Sequence, residues 1–232
     1  ARQRAGHDRQ HGAGADHAHD LALQLELVGA IDPGAALEVD EAAAVRDATG
    51  TLSDTAFHTD LYQINMVESY WADNMHNRRS VFEVYFRDLP FGNGYAIFAG
   101  LERMLEYLRD FRFTESDLQY LEEEVGYDKD FIAYLRDLRF TGDVYSVVEG
   151  ELVFANEPLV RVEAPLAEAQ LIETALLNII NYQTLIATKA SRIKQVVKDD
   201  VVMEFGSRRA QEMDAALWGA RASVIGGLES TS

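Results

Sequence analysis

Val201-Val202-Met203-Glu204-Phe205-Gly206-Ser207-Arg208-Arg209 is the stretch on which the fold of this chain turns. Its apolar first half, Val201–Phe205, suits a buried strand, Gly206-Ser207 breaks the run, and a helix is expected from about Arg208 to Val224, ended by Gly226-Gly227. That is a strand–loop–helix unit. In parallel α/β architectures ligands gather at the carboxyl end of such a strand, where the next helix presents free N–H groups and a dipole that favours anions. Two consecutive arginines add forked donors for phosphate or carboxylate, Gly206 allows close approach of the backbone, and Phe205 can present a ring beside them. The bland reading is a surface arginine pair at a helix start beside a core phenylalanine. Against it, arginine at a helix N-terminus opposes the dipole, which argues for a reason other than stability.

Upstream of this unit the pattern is α+β. Thr59 or Asp60 can cap a helix with Leu61, Ile64, Val67 and Trp71 on its apolar face. Ser80–Arg87 alternates, with Phe82, Val84 and Phe86 on one side, and reads as a strand. Pro90, Gly92 and Gly94 mark a loop. Leu101, Met104, Leu105 and Leu108 define a helix; Thr114 and Asp117 resemble a capping box; Phe131, Tyr134, Leu135 and Leu138 define another helix. Val144–Val148, Leu152–Phe154 and Leu159–Val162 are expected to form an antiparallel meander. A long helix follows from Pro165 to about Lys198, with a break expected near Asn181.

The 232 residues carry 21 Lys+Arg against 39 Asp+Glu, a net charge of −18. Such a field repels nucleic acid and anionic membranes, so an anionic ligand needs a local cationic cluster. Cysteine is absent, which excludes disulfides, thiolate metal sites and a cysteine nucleophile. No apolar run approaches the ~18 residues of a membrane span. Composition shifts sharply along the chain. Residues 1–50 hold no aromatic residue, 13 Ala and four of the six His (His7, His11, His17, His19). A stretch without aromatics buries little, so residues 1–53 are expected to be a disordered extension, with a short strand possible where Leu21, Leu23, Leu25 and Leu27 alternate. It has neither the apolar region of a secretory signal nor the composition of a transit peptide. The histidines read as a random cluster rather than a metal site.

Other candidates are weaker by pattern alone. Tyr62 falls beside the apolar stripe and reads as a half-buried packing residue, Asp60 as a helix-start acid. Tyr85 and Arg87 share a strand face with Glu83 and fit a site or a solvated face equally, whereas Glu122, Glu123 and Glu124 read as a solvated face. Gly92-Asn93-Gly94 is too short for a phosphate loop, and no nucleophile elbow occurs.

Taken together and in order, Thr59-Asp60-Leu61-Tyr62-Gln63-Ile64-Asn65-Met66, Phe82–Arg87, Phe98–Glu102, Glu157-Pro158-Leu159, Asn178–Ala190 and Glu204–Gln211 resemble nicotinate phosphoribosyltransferase over about residues 54 to 232. No single piece is specific; the combination is. The resemblance implies an α+β N-terminal domain at 54–198, and at 199–232 the first strand and helix of an irregular α/β barrel of the type II phosphoribosyltransferase kind, left incomplete. It implies formation of nicotinate mononucleotide and pyrophosphate from nicotinate and phosphoribosyl pyrophosphate, with coupled ATP hydrolysis and Mg²⁺, in a cytoplasmic homodimer engaged in NAD salvage. By the same resemblance Tyr62 matches the tyrosine that stacks on the pyridine ring from the partner subunit, Phe205 the aromatic on its other face, and Arg208 the arginine near the carboxylate and phosphate. The role of Arg209 stays open between site and structural ion pair. No catalytic residue is assigned. By the resemblance, the family's asparagine and its Gly-Thr-x-x-His phosphohistidine would lie beyond Ser232, the last residue of the sequence, and His58 and His76 match no such motif. This chain alone is therefore expected to be inactive. Nicotinamide phosphoribosyltransferase, or a non-catalytic truncated product, remain the alternatives.

Overall fold

Leu166–Val197 forms a single helix of 32 residues, here α5, about 48 Å long at 1.5 Å per residue. In the computed structural model, which describes residues 23–27 (backbone only), 56–89, 92 and 94–230, the other elements are arranged around it. In chain order these are β1 (Leu23–Leu27), α1 (Leu61–Ala72), β2 (Arg79–Phe86), β3 (Ala96–Ile97), α2 (Leu101–Arg109), α3 (Glu115–Tyr120), α4 (Lys129–Asp137), β4 (Asp143–Ser146), β5 (Leu152–Val153) and β6 (Val160–Pro165). After α5 come β7 (Met203–Glu204), α6 (Met213–Ile225) and β8 (Glu229–Ser230). A π-helical turn, Leu121–Val125, extends α3.

The break expected at Asn181 does not occur. An asparagine costs a helix a few tenths of a kcal/mol, and the buried side chains along α5 on both sides of it, from Leu171 and Ile172 to Ala187 and Ala190, outweigh that. The helix starts where β6 ends: Arg78 and His76 carbonyls accept from the Leu166 and Ala167 amides at 2.8 and 3.1 Å, so its first donors are satisfied without a side-chain cap.

The main sheet is antiparallel, in the order β1-β2-β6-β4. Phe82 stands opposite Val162, Val84 opposite Val160, and Val144 opposite Val162. These residues and Phe86 are buried in one continuous core with α5 and with Met104, Leu108, Phe111, Leu118, Phe131 and Leu135. The capping box expected at Thr114 is present, its hydroxyl accepting from the Asp117 amide and the Asp117 carboxylate accepting from the Thr114 amide.

Strand pairing departs from expectation. The meander is not one: β6 pairs with β4, but β5 leaves to pair with β3, Ala96 opposite Val153. Gly150, at φ +90°, turns the chain so that its amide reaches the Phe98 carbonyl at 2.9 Å. Glu83 is buried, opposite Arg161 of β6. The alternating leucines do form a short strand: Leu23–Leu27 is the edge strand β1 against β2, Leu25 opposite Val84. The four N-terminal histidines and the centre of Gly92-Asn93-Gly94 lie outside the described residues.

The terminal unit also departs from expectation. Only Met203–Glu204 of the apolar run is a strand, and Val201, Met203 and Phe205 are exposed. It pairs parallel with β8 across α6, Met203 opposite Glu229, a β-α-β crossover of two short strands whose face no further element covers among the described residues. The unit expected to reach Ser232 is described only as far as Ser230, in β8; Thr231 and Ser232 lie outside the described residues. The second strand, β8, was not foreseen, because the expected unit held one strand and one helix. Ser207–Arg209 is one 3-10 turn, so α6 begins five residues later than the spacing predicts. Among the described residues no helix is long and apolar enough to cross a membrane.

Candidate functional site

The loop from Glu204 to Glu212 is held by its own backbone and by one carboxylate. The Glu204 side chain accepts from the Gly206 amide, and the Arg209 amide donates to the Gly206 carbonyl at 2.8 Å. A Cβ on Gly206 would lie 2.7 Å from the Glu204 carboxylate, so the latch needs glycine for its close approach rather than for its dihedral angles. Phe205 is 72% exposed. The Arg208 guanidinium lies 5.4 Å from its ring centroid, a cation–π arrangement in open solvent. Because the 3-10 turn intervenes, neither arginine sits at the N-terminus of α6, and the helix-dipole argument does not apply to them.

Arg209 faces the other way. It lines a cavity of about 380 Å³ between α5, the β7 end and α6, with Lys189, Glu204 and Ser207. A second cavity of about 330 Å³ is lined by His58, Arg103, Asn178, Gln211 and Trp218, the Arg103 guanidinium standing 5.5 Å from the Trp218 ring. Tyr182 forms part of both walls. Its hydroxyl donates to the Ala215 carbonyl at 2.6 Å. Burial, with a contribution from Glu204, pushes that phenol above its ordinary range.

Tyr62 occupies a different place, the first turn of α1, and is 54% exposed. Its hydroxyl is pushed up by partial burial and then by the Glu173 and Asp60 carboxylates. Beneath it Gln63 is fully buried. Its side-chain oxygen accepts from the Asp60 amide at 3.2 Å. Among the described residues no hydrogen bond, ion pair or ring contact joins Tyr62 to Phe205 or Arg208. The structure thus brings Phe205 and Arg208 together and leaves Tyr62, also exposed, with no bond to either. Leu61, expected on the apolar face, is exposed beside it.

Two groups escaped the sequence reading. Gln63 was visible as the third helical residue after Asp60, the position at which a capping side chain reaches back. Glu149 was not visible, because its partners come from distant elements. Its carboxylate accepts from the Gly100 and Leu101 amides at 2.6 and 3.1 Å and receives both forks of Arg221 at 2.9 and 2.6 Å. Burial opposes its ionisation, yet Arg221 and the two amides outweigh burial and hold the carboxyl below its usual range. This clamp, together with Arg103–Trp218 and Tyr182–Ala215, seats α6 and therefore the loop that precedes it. Among the described residues no group of three or more His, Asp or Glu side chains converges to hold a metal ion.

With this geometry in place, comparison with known proteins is informative. Residues 57–181 match the nicotinate phosphoribosyltransferase (NAPRTase) N-terminal domain. A nicotinate phosphoribosyltransferase of Bacillus subtilis is 68% identical over 177 residues, 76% of this chain and 36% of that protein. The pncB2 nicotinate phosphoribosyltransferase of Mycobacterium tuberculosis is 43% identical over 189 residues, 82% of this chain and 40% of its own. The crystal structure of human nicotinic acid phosphoribosyltransferase superposes with a TM-score of 0.70 at 36% identity, over 75% of this chain and 36% of the human one. A nicotinate-nucleotide pyrophosphorylase from Pyrococcus furiosus, TM-score 0.59 at 22% identity, shares the fold over 81% of this chain and 41% of its own. This chain spans 36% to 40% of the length of the first two relatives.

Proposed function

The chain belongs to the nicotinate phosphoribosyltransferase family, and from that premise we propose that it carries the pyridine-binding part of an enzyme that joins nicotinate to the ribose of phosphoribosyl pyrophosphate. In this reading residues 54–198 are the N-terminal domain. Residues 199–232, with β7, α6 and β8, open an irregular α/β barrel. Two copies pair so that Tyr62 of one faces Phe205 and Arg208 of the other. The observation that carries the reading is the Arg208 guanidinium poised over the exposed Phe205 ring, an aromatic face and a cation in one place. A flat, electron-poor ring with a carboxylate needs both. That Tyr62 and Phe205 are both exposed and make no contact within one chain supports a site shared between copies.

The residues then act by orientation. Tyr62 and Phe205 hold the ring between them, and Arg208 takes the carboxylate or the nucleotide phosphate. The ring nitrogen is directed at the anomeric carbon, where the C–N bond forms as the bond to the pyrophosphate oxygen breaks. Positioning and charge stabilisation supply the rate. Mg²⁺ and ATP belong to the proposed reaction. The described residues offer no converging ligand set for the metal. The net charge of −18 supports small anionic substrates admitted by local arginines over nucleic acid, and a cytoplasmic enzyme is the reading we adopt.

The test joins this chain to the remainder of the Bacillus subtilis relative and measures turnover of nicotinate and of nicotinamide. Nicotinate should be preferred. Arg208→Ala should raise the KM for nicotinate roughly tenfold to a hundredfold, the loss of a charge-assisted pair. Unchanged saturation kinetics would remove Arg208 from the site, and a preference for nicotinamide would overturn the substrate assignment.

A further inference from the structure

The first turn of α1 is mounted on α5 through one buried amide. The Gln63 oxygen accepts from the Thr59 hydroxyl, from the Asp60 amide at 3.2 Å and from the Thr174 hydroxyl at 2.8 Å. Its nitrogen donates to the Glu173 carboxylate at 3.0 Å. That same carboxylate oxygen accepts from the buried Gln170 amide, also at 3.0 Å. The Thr174 hydroxyl also approaches the Asp60 carboxylate at 3.4 Å. Both polar atoms of the Gln63 side chain are therefore engaged, and its partners span 59–60 on one side and 173–174 on the other.

Capping alone does not account for this arrangement. A cap needs only the reach back to the Asp60 amide. Burying a second polar side chain and part of a carboxylate against it is costly, and an apolar pair of the same volume would serve stability as well or better. What the network adds is direction. Tyr62 makes no hydrogen bond of its own among the described residues, so the backbone at 61–63 decides where its exposed ring points, and Gln63 fixes that backbone against α5. We infer that Gln63, anchored by Glu173, is a positioning residue that aims the Tyr62 ring at the pyridine site of the neighbouring copy. The inference rests on the function proposed above.

The test titrates nicotinate mononucleotide into the 232-residue chain by calorimetry, with thermal unfolding measured in parallel. Wild type should bind and Tyr62→Ala should weaken binding. Gln63→Leu should weaken it about tenfold, as expected for disrupting one buried hydrogen-bond set, at a temperature where the variant remains folded. Glu173→Ala should do the same. Glu173→Gln should bind like wild type, since one amide oxygen can accept from both Gln63 and Gln170. Should wild type fail to bind, or Tyr62→Ala bind equally well, the ring site itself is wrong and the inference falls with it. Should Tyr62→Ala weaken binding while Gln63→Leu does not, or should Glu173→Gln behave as Glu173→Ala, the positioning role alone is overturned.

Discussion

The body from α1 to α5 and the terminal unit from β7 to β8 use their apolar residues in opposite ways. In the body, Phe82, Val84, Phe111, Phe131, Leu135 and Ile172 disappear into one core. In and just before the terminal unit, Val201, Met203, Phe205, Met213 and Leu217 remain exposed. α6 meets the body through a small apolar cluster, Ala222 with Ile97, Ala99 and Ala187, and through directed contacts: the Arg221–Glu149 fork, the Arg103–Trp218 contact and the Tyr182 hydroxyl. The body is held by extensive burial, which is non-directional, whereas the unit that carries Phe205 and Arg208 buries a smaller apolar contact and adds directed bonds that set its angle.

The largest expected effect breaks the body. Phe131→Ala should destabilise by about 3–5 kcal/mol, transfer loss plus cavity, whereas Phe205→Ala, removing an exposed ring, should move the denaturant midpoint hardly at all. Equal effects would erase the contrast between the two regions.

Next comes the clamp. Arg221→Ala leaves a half-buried carboxylate without its fork and should cost about 1–3 kcal/mol. Hydrogen exchange should localise that loss to α6 while α5 keeps its protection. The clamp also predicts a pH dependence with a definite sign. Glu149 is held below its usual range in the folded state, so its stabilisation is present above the unfolded carboxylate pKa near ~4.3 and is lost as pH falls through the lower folded value. Protection of α6 should therefore persist through mildly acidic pH and fail only below that range. In Arg221→Ala it should fail at a higher pH.

The smallest effect lies within the body. Glu168 is pushed up by burial despite accepting from the Thr141 amide and hydroxyl. A raised carboxylate favours the protonated folded state, so its contribution declines as pH rises from the unfolded toward the folded pKa. Glu168→Gln keeps an acceptor for Thr141 and removes that penalty. It should leave stability at neutral pH within about 1 kcal/mol, on the favourable side. A clear loss in thermal scans would show that the charge itself is used.

What could be read in advance follows the range of the interaction. The Thr114–Asp117 box, α2 with its buried Met104 and Leu108, and β2 with Phe82, Val84 and Phe86 depend on residues a few positions apart, and spacing located them. The meander failed because β5 pairs with β3, a strand far earlier in the chain. The helix break at Asn181 failed because Thr184 and Thr188, which bind the backbone of Ala99 and Ile97, commit α5 to one straight course. For the site, pattern alone picked out Phe205 with the pair Arg208-Arg209, without choosing between the arginines, and left Tyr62 as a packing residue. Only the family resemblance singled it out. The mount beneath it was invisible, since Glu173 and Thr174 lie on a helix remote in sequence from Gln63.

By itself, then, the sequence determined the local elements, the acid excess that makes a local arginine necessary for an anionic ligand, and the family to which the chain belongs. These depend on neighbouring residues or on composition. The tertiary structure alone decided that Phe205 is exposed beneath Arg208, that Tyr62 is exposed next to a buried amide, and that α6 is clamped by Glu149. Each of these depends on which distant segments the core brings together.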